Sequence, residues 1–295
     1  MKPPREEAIE VAQRGMRWRS PVANYLTGET IKTTDPRFWL VRDAVARGVT
    51  SMWAGPPNGG KSWGAMSLAV AVAAGLPWLD TFENTLGRPG RVLYVALEDA
   101  IDHTFARAQA VVRGLGFNRK QAQLVEVNLQ PTRDPLRLPD DERAFAESLA
   151  DMKPDLVVID TLAKVMVGDE NSTKDAGAFC DSLGRLCATT SILVLHHTGK
   201  DGFGKPGDAK VRGSSALVGH MRHLMRSTVV RAGVSAVAVT GNLPIGRDRF
   251  ELGFELVEGG EIGGDVARLT ALTAAAADQR AARASARAGA DVALV

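Results

Sequence analysis

A chain of 295 residues, 45% hydrophobic and 24% charged, can bury a sizeable core as one large domain or two small ones. Its 36 Lys and Arg against 34 Asp and Glu leave a net charge of +2, which neither demands nor excludes nucleic acid, since a local basic stripe can sit inside a near-neutral total. Met1–Glu6 opens no apolar run, and the longest apolar stretch, 66–79, is too short for a membrane span and is broken by Gly75 and Pro77, so a cytoplasmic protein without a membrane partner is expected.

Residues 1–36 read as an N-terminal arm. Arg14, Arg17 and Arg19 flank Trp18, which suits a surface arm anchored by one aromatic, or an arm that docks on a neighbouring subunit. A second domain is expected over 37–270, and from about 37 to 258 its pattern alternates strand and helix. Strand-length apolar runs fall at 49–54, 92–97, 124–127, 156–159, 192–195 and 236–239, with helical patterns at 61–74, 103–115, 141–152 and 176–188. Runs apolar on both faces suit a parallel sheet covered by helices, so the predicted fold class is α/β, a three-layer domain with a mostly parallel central sheet. The stretch 250–269 alternates around Gly253, Gly259, Gly260, Gly263 and Gly264 and predicts a closing β-hairpin. Residues 271–295 are rich in Ala and Arg without a wide apolar face, and a frayed or disordered tail is expected. Cys180 and Cys187 lie seven residues apart on a predicted helix, roughly 10 Å in rise, too far for a disulfide. They read as two small core residues in a reducing compartment.

Gly55-Pro56-Pro57-Asn58-Gly59-Gly60-Lys61-Ser62 fits G-x-x-x-x-G-K-[ST], entered by an apolar strand and left by a helix-forming run. Glycines let backbone N–H groups surround phosphates, and the following helix aims its positive end at them. Lys61 is positioned for the β- and γ-phosphates and Ser62 for Mg²⁺, with Trp63 completing the set expected to contact ATP. The apolar strand 156–159 ends in Asp160, expected to hold a metal-bound water beside Ser62. The strand 92–97 ends in Glu98 and Asp99. Glu98 is favoured to orient and deprotonate the attacking water, with Asp99 as its rival and helix capping as the alternative use of Glu98.

Further along, Leu195-His196-His197-Thr198-Gly199-Lys200 and Arg212-Gly213-Ser214-Ser215-Ala216-Leu217 follow these motifs in order. Together, over about 37–257, they resemble the plasmid RepA-type hexameric replicative helicases and their phage and prophage ATPase relatives within the RecA/DnaB superfamily. The resemblance implies a RecA-like core and a homo-oligomeric, hexameric ring with ATP between neighbours. It also implies His197 as a contact of the γ-phosphate and Arg222 as an arginine finger acting on the neighbour's ATP. The Thr240–Pro244 segment lacks the basic residue that such relatives often carry there, with Arg247 and Arg249 only later, which leaves a second trans-acting cation open.

RecA-like assemblies present two loops to DNA, here expected at 164–175 and 198–211. The second carries Lys200, Lys205 and Lys210, which can follow a phosphate backbone without reading sequence. The expected function is an ATP-hydrolysing, ring-forming motor on single-stranded DNA of the plasmid or phage helicase type, with a primase or initiator as a further partner. The alternative is a recombinase-like or loader ATPase that uses ATP as a switch without unwinding. A small-molecule kinase ranks below both, because no Arg-rich lid is evident.

Overall fold

The computed structural model describes residues 38–117, 127–130, 135–199, 211–243, 245–257 and 265–272. The chain divides between Pro36 and Arg37, and all of these residues belong to the second unit. The arm 1–36, Lys200, Lys205, Lys210 and the tail from 273 lie outside the described residues.

A short antiparallel pair, β1 (Trp39–Val41) and β2 (Val45–Ala46), leads into β3 (Thr50–Gly55) and α1 (Lys61–Ala74). Then come β4 (Val92–Ala96), α2 (Ile101–Gly114), β5 (Val127–Gln130), α3 (Glu142–Met152), β6 (Leu156–Asp160), α4 (Leu162–Val165), α5 (Thr173–Leu186) and β7 (Ser191–His197). The described chain closes with α6 (Ser215–His220), β8 (His223–Arg231), β9 (Val234–Gly241), β10 (Arg249–Val257) and β11 (Val266–Leu272). Nine strands form one sheet in the order β11-β10-β9-β8-β3-β7-β6-β4-β5. The pairings from β8 to β5 are parallel, and β9, β10 and β11 extend the sheet antiparallel. The strand that leads into the phosphate loop (β3) is separated from the strand ending in Asp160 (β6) by one strand, β7. This is an α/β fold with a mostly parallel central sheet and a closing hairpin, β10–β11.

Alternation along the strands builds the three layers. On β3, Trp53 enters the core under α1 and α2, while Met52 and Ala54 enter the core under α3, α4, α5 and α6. Helix α1 is buried around most of its circumference, so small side chains let it lie against the sheet. A Cβ at Gly64 would come within 2.3 Å of the Trp53 ring. The helix stops at Gly75, whose φ of 70° suits the left-handed cap that glycine adopts without strain. Helix α5 starts at Ser172, whose hydroxyl accepts the Asp175 N–H, and buries Phe179, Leu183 and Leu186 on one face. Cys180 and Cys187 are buried and unpaired, with burial pushing both thiols up to about 11.

Three departures from expectation have local causes. Strand β8, beside β3 in the middle of the sheet, was not legible, because His223, Arg226, Ser227 and Thr228 interrupt its apolar run. His223 and Ser227 are nevertheless fully buried. Strand β5 runs on to Gln130, beyond the expected end at 127, and 124–126 of the expected strand lie outside the described residues. The first loop predicted to face DNA, 164–175, is shortened at both ends by α4 and α5.

Candidate active site

The sheet brings the carboxyl ends of β3, β4, β6 and β7 side by side, and a cavity of about 490 Å³ opens over them. Its walls include Asn58, Gly60, Lys61, Ser62, Glu98, Asp160 and His197, which span 140 positions in sequence from first to last. Pro57, Gly59 and Trp63 also line it.

The loop's backbone explains its residue types. Asn58 and Gly60 have φ of 58° and 76°, and the Gly59 N–H closes a turn on the Pro56 carbonyl at 3.2 Å. Gly55 sits so close to β8 that an added Cβ would lie 2.1 Å from Ser227 Oγ. Gly60 precedes α1 without a side-chain cap, so the first-turn N–H groups that no helix satisfies internally are left for a ligand. Lys61 folds back into the loop, its Nζ donating to the carbonyls of Gly55 at 2.9 Å and Pro56 at 2.7 Å. Burial lowers its pKa to about 8, against the raising influence of Asp160 and Glu98. Two carbonyls thus occupy an ammonium that phosphate oxygens could satisfy better.

Asp160 is 5% exposed, and burial raises its pKa against hydrogen bonds from Tyr94 and Ser62. The Tyr94 hydroxyl donates to Asp160 Oδ2 at 2.8 Å and is itself held protonated by burial and by that carboxylate. A serine hydroxyl beside a desolvated carboxylate fits a hard divalent cation. Among the described residues no group of three or more His, Cys, Asp or Glu could hold a metal, so a cation here would complete its shell with phosphate and water oxygens.

The two rival carboxylates have different partners. Asp99 is paired with Arg107 at 2.6 Å, whereas Glu98 faces His197, Oε1 to Nε2, at 3.7 Å. Capping does not occupy Glu98, because α2 is entered through Ala100 without a side-chain cap. Burial, then the Lys61 ammonium, lower the His197 pKa against the opposite pull of Glu98, so the ring is neutral at neutral pH.

Arg107 escaped the sequence reading. It lines the cavity from α2, stacks over Trp63 at 5.4 Å and is held by Asp99. Its place eight residues beyond Asp99 at the acidic strand end was its only signal. Trp63 also packs on Phe254 at 4.8 Å, and with Leu252 and the turn from Val229 to Ser235 they form a further part of the cavity wall. Ser235 Oγ donates to the Gly59 carbonyl at 3.0 Å and ties that wall to the loop.

Arg222 is not part of this cavity. Its N–H donates to Thr50 O at 3.3 Å, at the start of β3, so about 17 Å of strand separates it from the phosphate loop. It is exposed, in the link between α6 and β8. Arg247 lies over the Phe82 ring at 5.5 Å and Arg249 opens β10. The second predicted DNA loop begins at Thr198, which pairs with Val211 and donates to the Gly55 carbonyl at 3.2 Å. No helix among the described residues is long and apolar enough to cross a membrane.

A family model described as an AAA domain matches residues 19–202. Among solved structures, the crystal structure of the RadB recombinase aligns with a TM-score of 0.49 at 16% identity, covering 72% of this chain and 89% of that one. No curated protein matches. The family match covers more than half of the chain and includes both the phosphate loop and Asp160, so the chain belongs to the AAA domain family and carries a P-loop ATPase-type domain.

Proposed function

We propose that this chain hydrolyses ATP as a ring-forming motor on single-stranded DNA, in the manner of the plasmid and phage replicative helicases. The carrying observation is the convergence of Lys61, Ser62, Asp160, Glu98 and His197 on one cavity at the carboxyl ends of adjacent strands. In this reading Gly55 to Ser62 and the start of α1 wrap the triphosphate, and Lys61 leaves the Gly55 and Pro56 carbonyls for the β- and γ-phosphate oxygens. Ser62 and Asp160 would hold Mg²⁺, which neutralises charge developing between those phosphates. Glu98 orients the attacking water and takes its proton. His197, neutral and beside Glu98, senses the γ-phosphate. The nucleobase takes the end walled by Trp63 and Phe254.

Arg222, about 17 Å of strand from its own phosphate loop, would in this reading act on a neighbour's nucleotide in a hexameric ring. Thr198 leaves β7 beside the phosphate loop, so a segment carrying Lys200, Lys205 and Lys210 starts where hydrolysis would be felt. Those lysines would follow the DNA backbone.

The test measures ATP turnover with Mg²⁺, with and without single-stranded DNA, alongside particle mass and ATP-dependent strand displacement. The motor reading expects turnover that DNA stimulates, a multi-subunit particle, strand displacement, and loss of turnover in Lys61→Ala. Turnover without displacement supports the loader or recombinase-like switch. Normal turnover by Lys61→Ala overturns the site itself.

A further inference from the structure

The Arg212-Gly213-Ser214-Ser215 segment lies outside the cavity and no step above uses it. It is nevertheless bound tightly to the strand that carries His197. The Arg212 N–H donates to the His197 carbonyl at 3.1 Å, and the Arg212 carbonyl accepts from His196 Nε2 at 2.9 Å. One residue's backbone therefore grips both histidines. His196 is fully buried, and that bond places its proton on Nε2, since a carbonyl only accepts.

Arg212 is held in turn by the turn before α5. Its guanidinium Nε donates to Glu170 Oε1. The Glu170 backbone carbonyl accepts the Ser214 N–H at 2.7 Å, and Ser214 Oγ lies 3.2 Å from Thr173 Oγ1. A Cβ on Gly213 would meet that same Glu170 carbonyl at 2.7 Å, and Gly213 has φ of 92°, so only glycine permits this approach. The Ser214 hydroxyl also accepts the Ala216 N–H at the start of α6. Glu170 is 12% exposed at its side chain and Arg212 52%. An ion pair open to water on one side adds little to stability. What it can do is fix geometry, and a displacement of about 1 Å of a group at a reacting centre can cost about 100-fold in rate.

We infer that Glu170 is a positioning residue for the ATPase centre: by clamping Arg212 it holds the end of β7 so that His197 faces Glu98. This rests on the ATPase reading of the cavity. The same clamp joins the two segments that follow β6 and β7, so a shift of His197 reaches the turn at 169–173 through Arg212.

The test uses the full chain and the variants Glu170→Gln, Arg212→Ala and Arg212→Lys. ATP turnover is measured against ATP concentration, with binding of a fluorescent ATP analogue and thermal melting measured in parallel. Expected is a kcat about tenfold lower in Glu170→Gln and Arg212→Ala, with KM and analogue binding within about twofold of the unaltered chain. Arg212→Lys should recover part of the turnover. Arg212 is half exposed, so its variants carry the test even where Glu170→Gln folds poorly. Unaltered kcat in both Glu170→Gln and Arg212→Ala overturns the clamp while leaving the ATPase reading intact. A lowered melting temperature with kcat per folded molecule unchanged makes the segment merely structural and overturns it as well. Absence of turnover in the unaltered chain removes the ATPase reading, and this inference with it.

Discussion

Replacing Lys61 by Met separates what the lysine does for the nucleotide from what it does to the empty fold. Lys61 is 7% exposed, with the Gly55 and Pro56 carbonyls as the hydrogen-bond acceptors of its ammonium. Burial lowers its pKa from 10.5 to about 8, the largest contribution ahead of Asp160 and Glu98. That displacement corresponds to about 3 kcal/mol by which the folded, nucleotide-free chain disfavours the charged form. The sign follows from proton counts. Below pH 8 both folded and unfolded chains hold the proton, and the cost is carried in full. Between pH 8 and 10.5 the unfolded chain holds more protons, so the stability of the unaltered protein rises with pH. Lys61→Met removes the cost but leaves two carbonyls without their donor, at about 1 kcal/mol each where water does not replace it. The variant should therefore be more stable at pH 7 by about 1–3 kcal/mol, or a melting temperature higher by about 2–8 °C. The advantage should shrink as pH climbs from 8 towards 10.5, while ATP turnover is lost at every pH. Calorimetric melting of both proteins without nucleotide across pH 7–10 is the assay. A variant no more stable than the unaltered chain at pH 7, or an advantage constant with pH, would refute the argument from desolvation.

Glu98→Gln should bind nucleotide within about threefold of the unaltered chain and lose at least about 100-fold in turnover, since the proton acceptor is gone; Asp99→Asn, which loosens Arg107, should lose less. Equal losses in the two, measured under saturating ATP, would return Asp99 to contention. Arg222→Ala and Lys61→Ala should each be inactive alone, yet recover turnover when mixed and reassembled, if the arginine completes a neighbour's site. Mixtures as inactive as their components would place the finger elsewhere. Burial lowers the His223 pKa from 6.5 to about 4, so the ring is neutral when folded and stability falls as pH drops from 6.5 towards 4, by about 3 kcal/mol in all. Urea unfolding of His223→Phe across that window should show a shallower pH slope, by about one proton, than the unaltered chain.

Much of the site was legible because its chemistry is local. The phosphate loop is a contiguous run whose glycines, lysine and serine have fixed duties, and Lys61–Ala74 is the helix that its pattern predicts. Glu98 and Asp160 announced themselves as acids closing apolar strands, which in a parallel sheet must end at the same edge. The hairpin β10–β11 followed from alternation around glycines. The different partners of Glu98 and Asp99 were not legible, because both are acids at one strand end, and His197 and Arg107 reach them only in the folded chain. Strand β8 was hidden by polar residues whose burial depends on lying between β3 and β9.

The sequence by itself determined the parts that contiguous backbone can build: the loop, its helix, and the strand ends that carry acids. Only the tertiary structure decided which distant groups meet there, namely Tyr94 on Asp160, Arg107 on Asp99, Ser235 on the loop and Glu170 behind Arg212. The physical reason is the range of the interactions. Turn geometry and helix periodicity act over a few residues and are written in local order. A hydrogen bond or ion pair between residues up to 176 positions apart exists only once sheet register has set them within about 3 Å of each other.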